Sequence, residues 1–245
     1  MPYFLDLQKN KTTTPPFSPT WLCEKGSSEK KVQILALGDV GQTVATTLCL
    51  LGNGLISSIG LYDANPNAAI RLEMELNQIQ EPLCGLHSPF AHVISFEELF
   101  DCDIFIFCAS KGIPDLQSNV TDVRMAQFDA NKEIIGYYSQ LAASKNYKGL
   151  FAVVSDPVDP LCKAALLSSN GQLHSDQIKG YGLGVMNARA IYYANKDPRF
   201  AMFMKEGRAF GPHGQDLIIA NSIEHYDHEL SIELTELAIH ANLRV

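Results

Sequence analysis

The sequence predicts an α/β fold built on a doubly wound parallel sheet with helices on both faces. Three observations predict it. Short apolar runs of strand length recur along the chain, helix-forming stretches separate them, and the spacing of this alternation suits parallel strands joined by crossover helices. At 245 residues, 46% hydrophobic and 19% charged, the chain also has the apolar content to bury a full core.

Residues 1–30, including KTTTPPFSPT and EKGSSEK, are rich in Thr, Pro, Ser and Lys and lack hydrophobic periodicity. They read as an extended arm. Trp21 within it has two readings, an anchor on a neighbouring subunit or part of a surface arm or leader without a catalytic role. From Lys31 the pattern changes. Val32 to Leu37 is a buried strand, a tight turn follows, and Gln42 to Leu51 has helical spacing. Ile56 to Tyr62 is a second strand ending at Asp63, and Ala68 to Gln80 is a helix with a wet side of Glu, Arg and Asn. Further strands are expected at Ala91 to Ile94, Ile104 to Cys108 and Leu150 to Val154. Helical segments at Phe96 to Phe100 and Asp122 to Ala143 separate them. After Pro157 come a helix through Leu167, a strand near Ile178 to Gly180, a helix from Met186 to Ala194 and less regular segments around Phe200 to Phe210.

Composition narrows the function classes. A net charge of -8 argues against a nucleic-acid surface or an anionic membrane as partner and leaves small metabolites. Cys23, Cys49, Cys84, Cys102, Cys108 and Cys162 are scattered without a CxxC pair, as reduced thiols in a cytosol would be. The start MPYFLDLQKNK lacks a secretory pattern and no apolar stretch is long enough to span a bilayer, so a cytoplasmic location is expected.

The first turn carries the most chemistry. Ala36-Leu-Gly38-Asp39-Val40-Gly41 matches G-x-G-x-x-G with Ala in place of the first glycine. Between a strand and a helix, Gly38 lets backbone approach a pyrophosphate and Gly41 lets helix and strand pack closely. The helix N-terminus supplies N–H donors and a positive dipole end. Ala36 is expected to keep a negative φ and so to alter the turn slightly. Asp63 lies 22 residues beyond Gly41 at the end of the second strand, where a carboxylate accepts ribose hydroxyls and repels a 2′-phosphate. The region 31–160 therefore reads as a Rossmann-type domain for NAD, with Gly38, Asp39, Val40, Gly41 and Asp63 at the cofactor.

Several later segments stand in an order that resembles the lactate/malate dehydrogenase family. They are Phe107-Cys-Ala-Ser110, Asp122-Val-Arg124 with Asn131-Lys-Glu-Ile-Ile, Val153-Val-Ser-Asp-Pro-Val-Asp159, Gly184-Val-Met-Asn-Ala-Arg189 and Gly211-Pro-His213-Gly. The resemblance spans roughly Val32 to Ile219. It implies cofactor contacts from Cys108, Ala109, Ser110 and Val154. It also implies His213 as proton donor and acceptor, Arg189 as a bidentate carboxylate clamp and Arg124 as the loop residue that polarises the carbonyl. The bland readings are an exposed turn histidine and solvated helix arginines.

The resemblance also breaks in places. Met186 stands where the family's histidine-pairing carboxylate falls. Asp156 stands where a neutral asparagine touches the reacting oxygen. An anion there would repel an α-keto acid, favour an amine or imine, or raise the basicity of His213; it could also simply finish a strand. The loop beginning at Lys111 lacks the second arginine that selects a dicarboxylate, and Lys111 itself reads as a solvated lysine. Leu234 to Val245 lies inside what resembles the first long helix of the substrate domain, so 161–245 is expected to be an incomplete α+β substrate domain. The resemblance implies a homo-oligomer. It implies an NAD-dependent oxidoreductase moving hydride between NAD and a small 2-hydroxy or 2-oxo acid. The alternatives are a catalytically impaired NAD-binding paralogue acting as sensor or scaffold, and an enzyme shifted to an amine or imine.

Overall fold

A computed structural model describes residues 29–79, 88–111, 123–212 and 216–241. Its centre is a six-stranded, all-parallel sheet in the order β3-β2-β1-β4-β5-β6. The strands are β1 (Lys30–Leu35), β2 (Ile56–Tyr62), β3 (Phe90–Val93), β4 (Ile104–Phe107), β5 (Leu150–Val153) and β6 (Ile178–Gly180). This is the doubly wound order, with the winding reversing between β1 and β4. β6 pairs with β5 through Phe151 and Ile178, so the sheet takes in residues beyond 160.

Period-two alternation assigns the two faces. Leu35, Phe105, Phe107, Phe151 and Val153 point into one core, while Val32, Ile34, Ile106 and Ala152 point into the other. Helices α1 (Asp39–Leu51) and α2 (Pro66–Asn77) cover the second face; α3 (Val123–Ser144) and α4 (Val158–Ser168) cover the first. α1 buries the small residues Gly41, Ala45 and Cys49 one turn apart, which lets it lie close to the sheet. α2 starts two residues before the expected Ala68 because Asn65 caps it, accepting from Asn67 N at 3.1 Å, and Pro66 occupies the first turn. The expected helix Phe96 to Phe100 is a single 3-10 turn, Phe96–Glu98, closed by a Ser95/Glu98 capping box.

The remaining elements have a core of their own. They are α5 (Leu183–Lys196), α6 (Phe203–Glu206), an antiparallel pair β7 (Arg208–Phe210) and β8 (Ile218–Ala220), and α7 (His228–Ile239). Met186, Ala190, Phe200, Phe203, Ile219, Leu234 and Ala238 pack together there. α7 contains the expected helical Leu234 and begins at His228, where the Asp227 carboxylate accepts from Leu230 N at 3.0 Å. Among the described residues, no helix is long and apolar enough to cross a membrane.

Candidate functional site

The reversal point places the ends of β1 and β4 side by side, Leu35 opposite Phe107. Open α/β sheets present a crevice at such carboxyl ends. On one side the chain leaves β1 through Ala36, whose φ is +70°. The expected negative φ at this position is therefore wrong. The turn keeps the left-handed geometry of a glycine and imposes it on alanine, at a cost of about 1–2 kcal/mol. Gly41 shows why the turn holds its shape: a Cβ there would lie 2.0 Å from the Ala36 carbonyl oxygen. Gly38 is the N-cap of α1 and provides no side-chain cap. The N–H groups of the first turn thus have no capping side chain and face the crevice end of the sheet.

Asp63 holds this turn. One carboxylate oxygen accepts from Leu37 N at 2.6 Å and the other from Asn65 N at 2.8 Å. Sequence reasoning gave Asp63 only a ribose to bind; both of its oxygens already serve the backbone. Gln42 adds a second tie, donating through Nε2 to Leu37 O at 2.7 Å.

On the other side of the crevice, Cys108 donates its N–H to Leu35 O at 3.0 Å and Val154 donates to Phe107 O at 3.0 Å. Ala109 O accepts from Ser155 Oγ at 2.6 Å. The segment 108–110 and the end of β5 are therefore stitched to each other. Burial pushes the Cys108 thiol up to about 12, so it stays neutral.

Asn131, on α3, completes the stitching. Fully buried, it accepts from Lys111 N at 2.9 Å through Oδ1 and donates through Nδ2 to Asp156 O at 3.1 Å and Ser110 Oγ at 3.3 Å. Sequence reasoning saw Asn131 only as part of a helix. The available signal was an asparagine among the apolar positions of a helix, a residue type that needs hydrogen-bond partners when buried. Lys111 is exposed and its ammonium lies 3.9 Å from Glu133, as a solvated loop lysine would.

Between the N-terminus of α1, the end of β5 and the start of α5 lies a cavity of about 550 Å³. It brings together the expected Asp39, Val40, Val154 and Asp156 and adds Tyr181 and Val185. Val44 and Val158 extend its apolar wall, and none of its lining residues is basic. Tyr181 enters because its N–H is held by Val153 O at 2.9 Å, which continues the β5–β6 pairing past Gly180. A larger hollow of about 670 Å³ between α3 and α4, lined by Phe128, Lys132, Tyr137 and Lys163, contains none of the expected residues.

The expected catalytic residues are less gathered. Arg189 is half-buried on α5, and its Nη1 donates to Ala238 O at 3.1 Å, with Met186 Sδ at 3.6 Å. Met186 is 1% exposed inside an apolar core. Arg124 falls in the first turn of α3, and His213 lies outside the described residues.

No family model matches the chain. It is 24% identical over 191 residues to a malate dehydrogenase of Aliarcobacter butzleri, covering 78% of this chain and 58% of that protein. It is 26% identical over 195 residues to an L-lactate dehydrogenase of Treponema denticola, covering 80% and 58%. The chain thus spans under three fifths of the length of these curated relatives. Among solved structures, the minor L-lactate dehydrogenase of Enterococcus mundtii, in a ligand-bound form, superposes with a TM-score of 0.66 at 19% identity, over 89% of this chain and 70% of that one. The malate dehydrogenase of Archaeoglobus fulgidus in complex with NADH gives 0.65 at 18% identity, over 88% and 69%. These structures share the fold.

Proposed function

We propose, from the premise that this chain is a divergent member of the lactate/malate dehydrogenase family, that it binds NAD across the β1–β4 crevice and serves hydride transfer to and from a small 2-hydroxy or 2-oxo acid. The observation that carries the reading is the cavity at the ends of α1 and β5, where Asp39, Val40, Val154 and Asp156 meet. The residues present fit the dinucleotide. α1 has a glycine N-cap without a capping side chain, Gly41 has no room for a Cβ, and half of the residues lining the cavity are valine.

When bound, NAD supplies the hydride acceptor and donor. This chain's own residues do the rest. The first-turn N–H groups of α1 hold the diphosphate, and Asp63 faces the adenosine ribose. Val40, Val44, Val154 and Val158 keep water from the reacting ring. His213 exchanges the proton of the substrate hydroxyl, Arg189 holds its carboxylate and Arg124 polarises its carbonyl. With methionine at position 186, His213 works without the carboxylate partner seen in the family pattern. Cys108, Ala109 and Ser110 line the ribose on the ring side. The elements from α5 onward form the substrate side. The loop's lack of a second arginine favours a monocarboxylic over a dicarboxylic substrate.

The test is a fluorescence titration with NADH, followed by absorbance at the reduced-nicotinamide band with a panel of 2-oxo acids. Saturable binding with substrate-dependent loss of absorbance supports the reading. Binding without turnover on any 2-oxo acid overturns the hydride-transfer half. No binding overturns all of it.

A further inference from the structure

The cavity at the end of β5 has an unusual charge balance for a site built around an anionic cofactor. Asp39 and Asp156 both line it, and no lining residue is basic. The groups bonded at these two residues involve the main chain only: the Asp39 carbonyl accepts from Thr43 Oγ1 at 2.7 Å, and the Asp156 carbonyl accepts from Asn131 Nδ2 at 3.1 Å. Among the described residues neither carboxylate has a hydrogen-bonding or ion-pairing partner. Five valines, Thr43 and Gly182 make up most of the remaining wall, and Tyr181 contributes an aromatic ring that is 52% exposed. Two unpaired carboxylates, a hydrocarbon wall and an aromatic ring together suit a flat, singly charged cation.

Resting on the proposed placement of the dinucleotide, we infer that Asp156 makes this site select the oxidised cofactor. The nicotinamide ring of NAD carries one positive charge in the oxidised form and none in the reduced form, while the diphosphate and ribose portions are identical. A charge on this wall therefore acts on the difference between the two forms. Val40, Val185 and Tyr181 are each about half exposed, so solvent screening applies, and even then one carboxylate several ångströms from the ring changes relative affinity by about three- to tenfold. Asp39 contributes in the same sense at the ring and opposes the diphosphate of both forms equally. A tenfold preference lowers the potential of the bound two-electron couple by about 30 mV. The bound cofactor then holds its electrons less tightly, which favours reduction of an oxo acid.

The experiment is parallel titration of the full chain with NAD and NADH by calorimetry, for the wild type and Asp156→Asn, at low and high salt. The expected result is a ratio Kd(NADH)/Kd(NAD) that falls about three- to tenfold in Asp156→Asn. In the wild type the same ratio falls as salt rises, because screening removes the same charge effect. Asp156→Glu, which keeps the charge, is the second variant and is expected to hold the ratio near the wild-type value. If both forms bind and the ratio is unchanged in Asp156→Asn, or falls as far in Asp156→Glu as in Asp156→Asn, the inference fails while the proposed function stands. If neither form binds, both fail.

Discussion

Ala36 offers the sharpest test of how the nucleotide turn is built. Three non-glycine residues among those described have a positive φ: Ala36 at 70°, Asn146 at 53° and Asn170 at 52°. Asparagine tolerates this region through local side-chain bonding; alanine has no such compensation. Replacing Ala36 by glycine removes a conformational cost of about 1–2 kcal/mol. It also gives the unfolded chain more freedom, which takes back about 0.4–1 kcal/mol. The net is a stabilisation of about 0.5–1 kcal/mol, or about 1–4 °C in melting temperature for a protein of this size. The turn's bonds are unaffected, since Ala36 contributes through its backbone N–H to Tyr62 O at 2.9 Å. Calorimetric and urea melts of Ala36→Gly check this. A melting temperature equal to or below that of the wild type would refute the strained-alanine reasoning. Gly41→Ala is the opposing control. Its new Cβ meets the Ala36 carbonyl oxygen at 2.0 Å, so the turn must open, with a loss of about 1–3 kcal/mol and of dinucleotide binding.

Asn131→Ala removes the shared partner of Lys111 N, Ser110 Oγ and Asp156 O; a loss of about 2–3 kcal/mol is expected in urea unfolding, and a change below 0.5 kcal/mol on the same rough scale would contradict it. Met186→Asp places a carboxylate in an apolar core, and burial raises the pKa of such an acid. The penalty is smallest below about pH 4, where the acid is neutral folded and unfolded, and grows toward neutrality to about 3 kcal/mol or more. A variant as stable at pH 8 as the wild type would mean that Arg189, 3.6 Å from the methionine sulfur, neutralises it. Burial pushes the thiols of Cys102 and Cys108 up to about 12 and that of Cys162 up to about 11. At pH 8 these three should alkylate at least about a hundredfold more slowly in the native protein than after unfolding, as read by mass mapping; equal rates would contradict the burial argument.

Much of the parallel sheet was legible because its strands are short apolar runs punctuated by turns, and β2, β4, β5 and β6 fall within a residue or so of their expected limits. Helix ends were harder. They depend on single capping side chains such as Asn65 and Asp227, which hydrophobic periodicity does not register. Phe200 to Phe210 looked irregular because it holds the end of a 3-10 turn (Pro198–Phe200), a one-turn helix and a three-residue strand, each too short to show a period. Within the site, residues from the nucleotide turn and the end of β5 do meet at one cavity. Asn131 and Tyr181 escaped notice because their placement follows from long-range pairing, across 25 residues to Asp156 in one case and along the β5–β6 edge in the other.

The double bonding of Asp63 changes what that residue contributes to recognition. Each oxygen has one lone pair taken, by Leu37 N and Asn65 N, and keeps a second acceptor site for an arriving hydroxyl. In the proposed site Asp63 would accept a ribose hydroxyl and oppose a 2′-phosphate, yet its first task is to keep its own doorway folded, so a change at this residue would loosen the turn before it altered what the turn recognises.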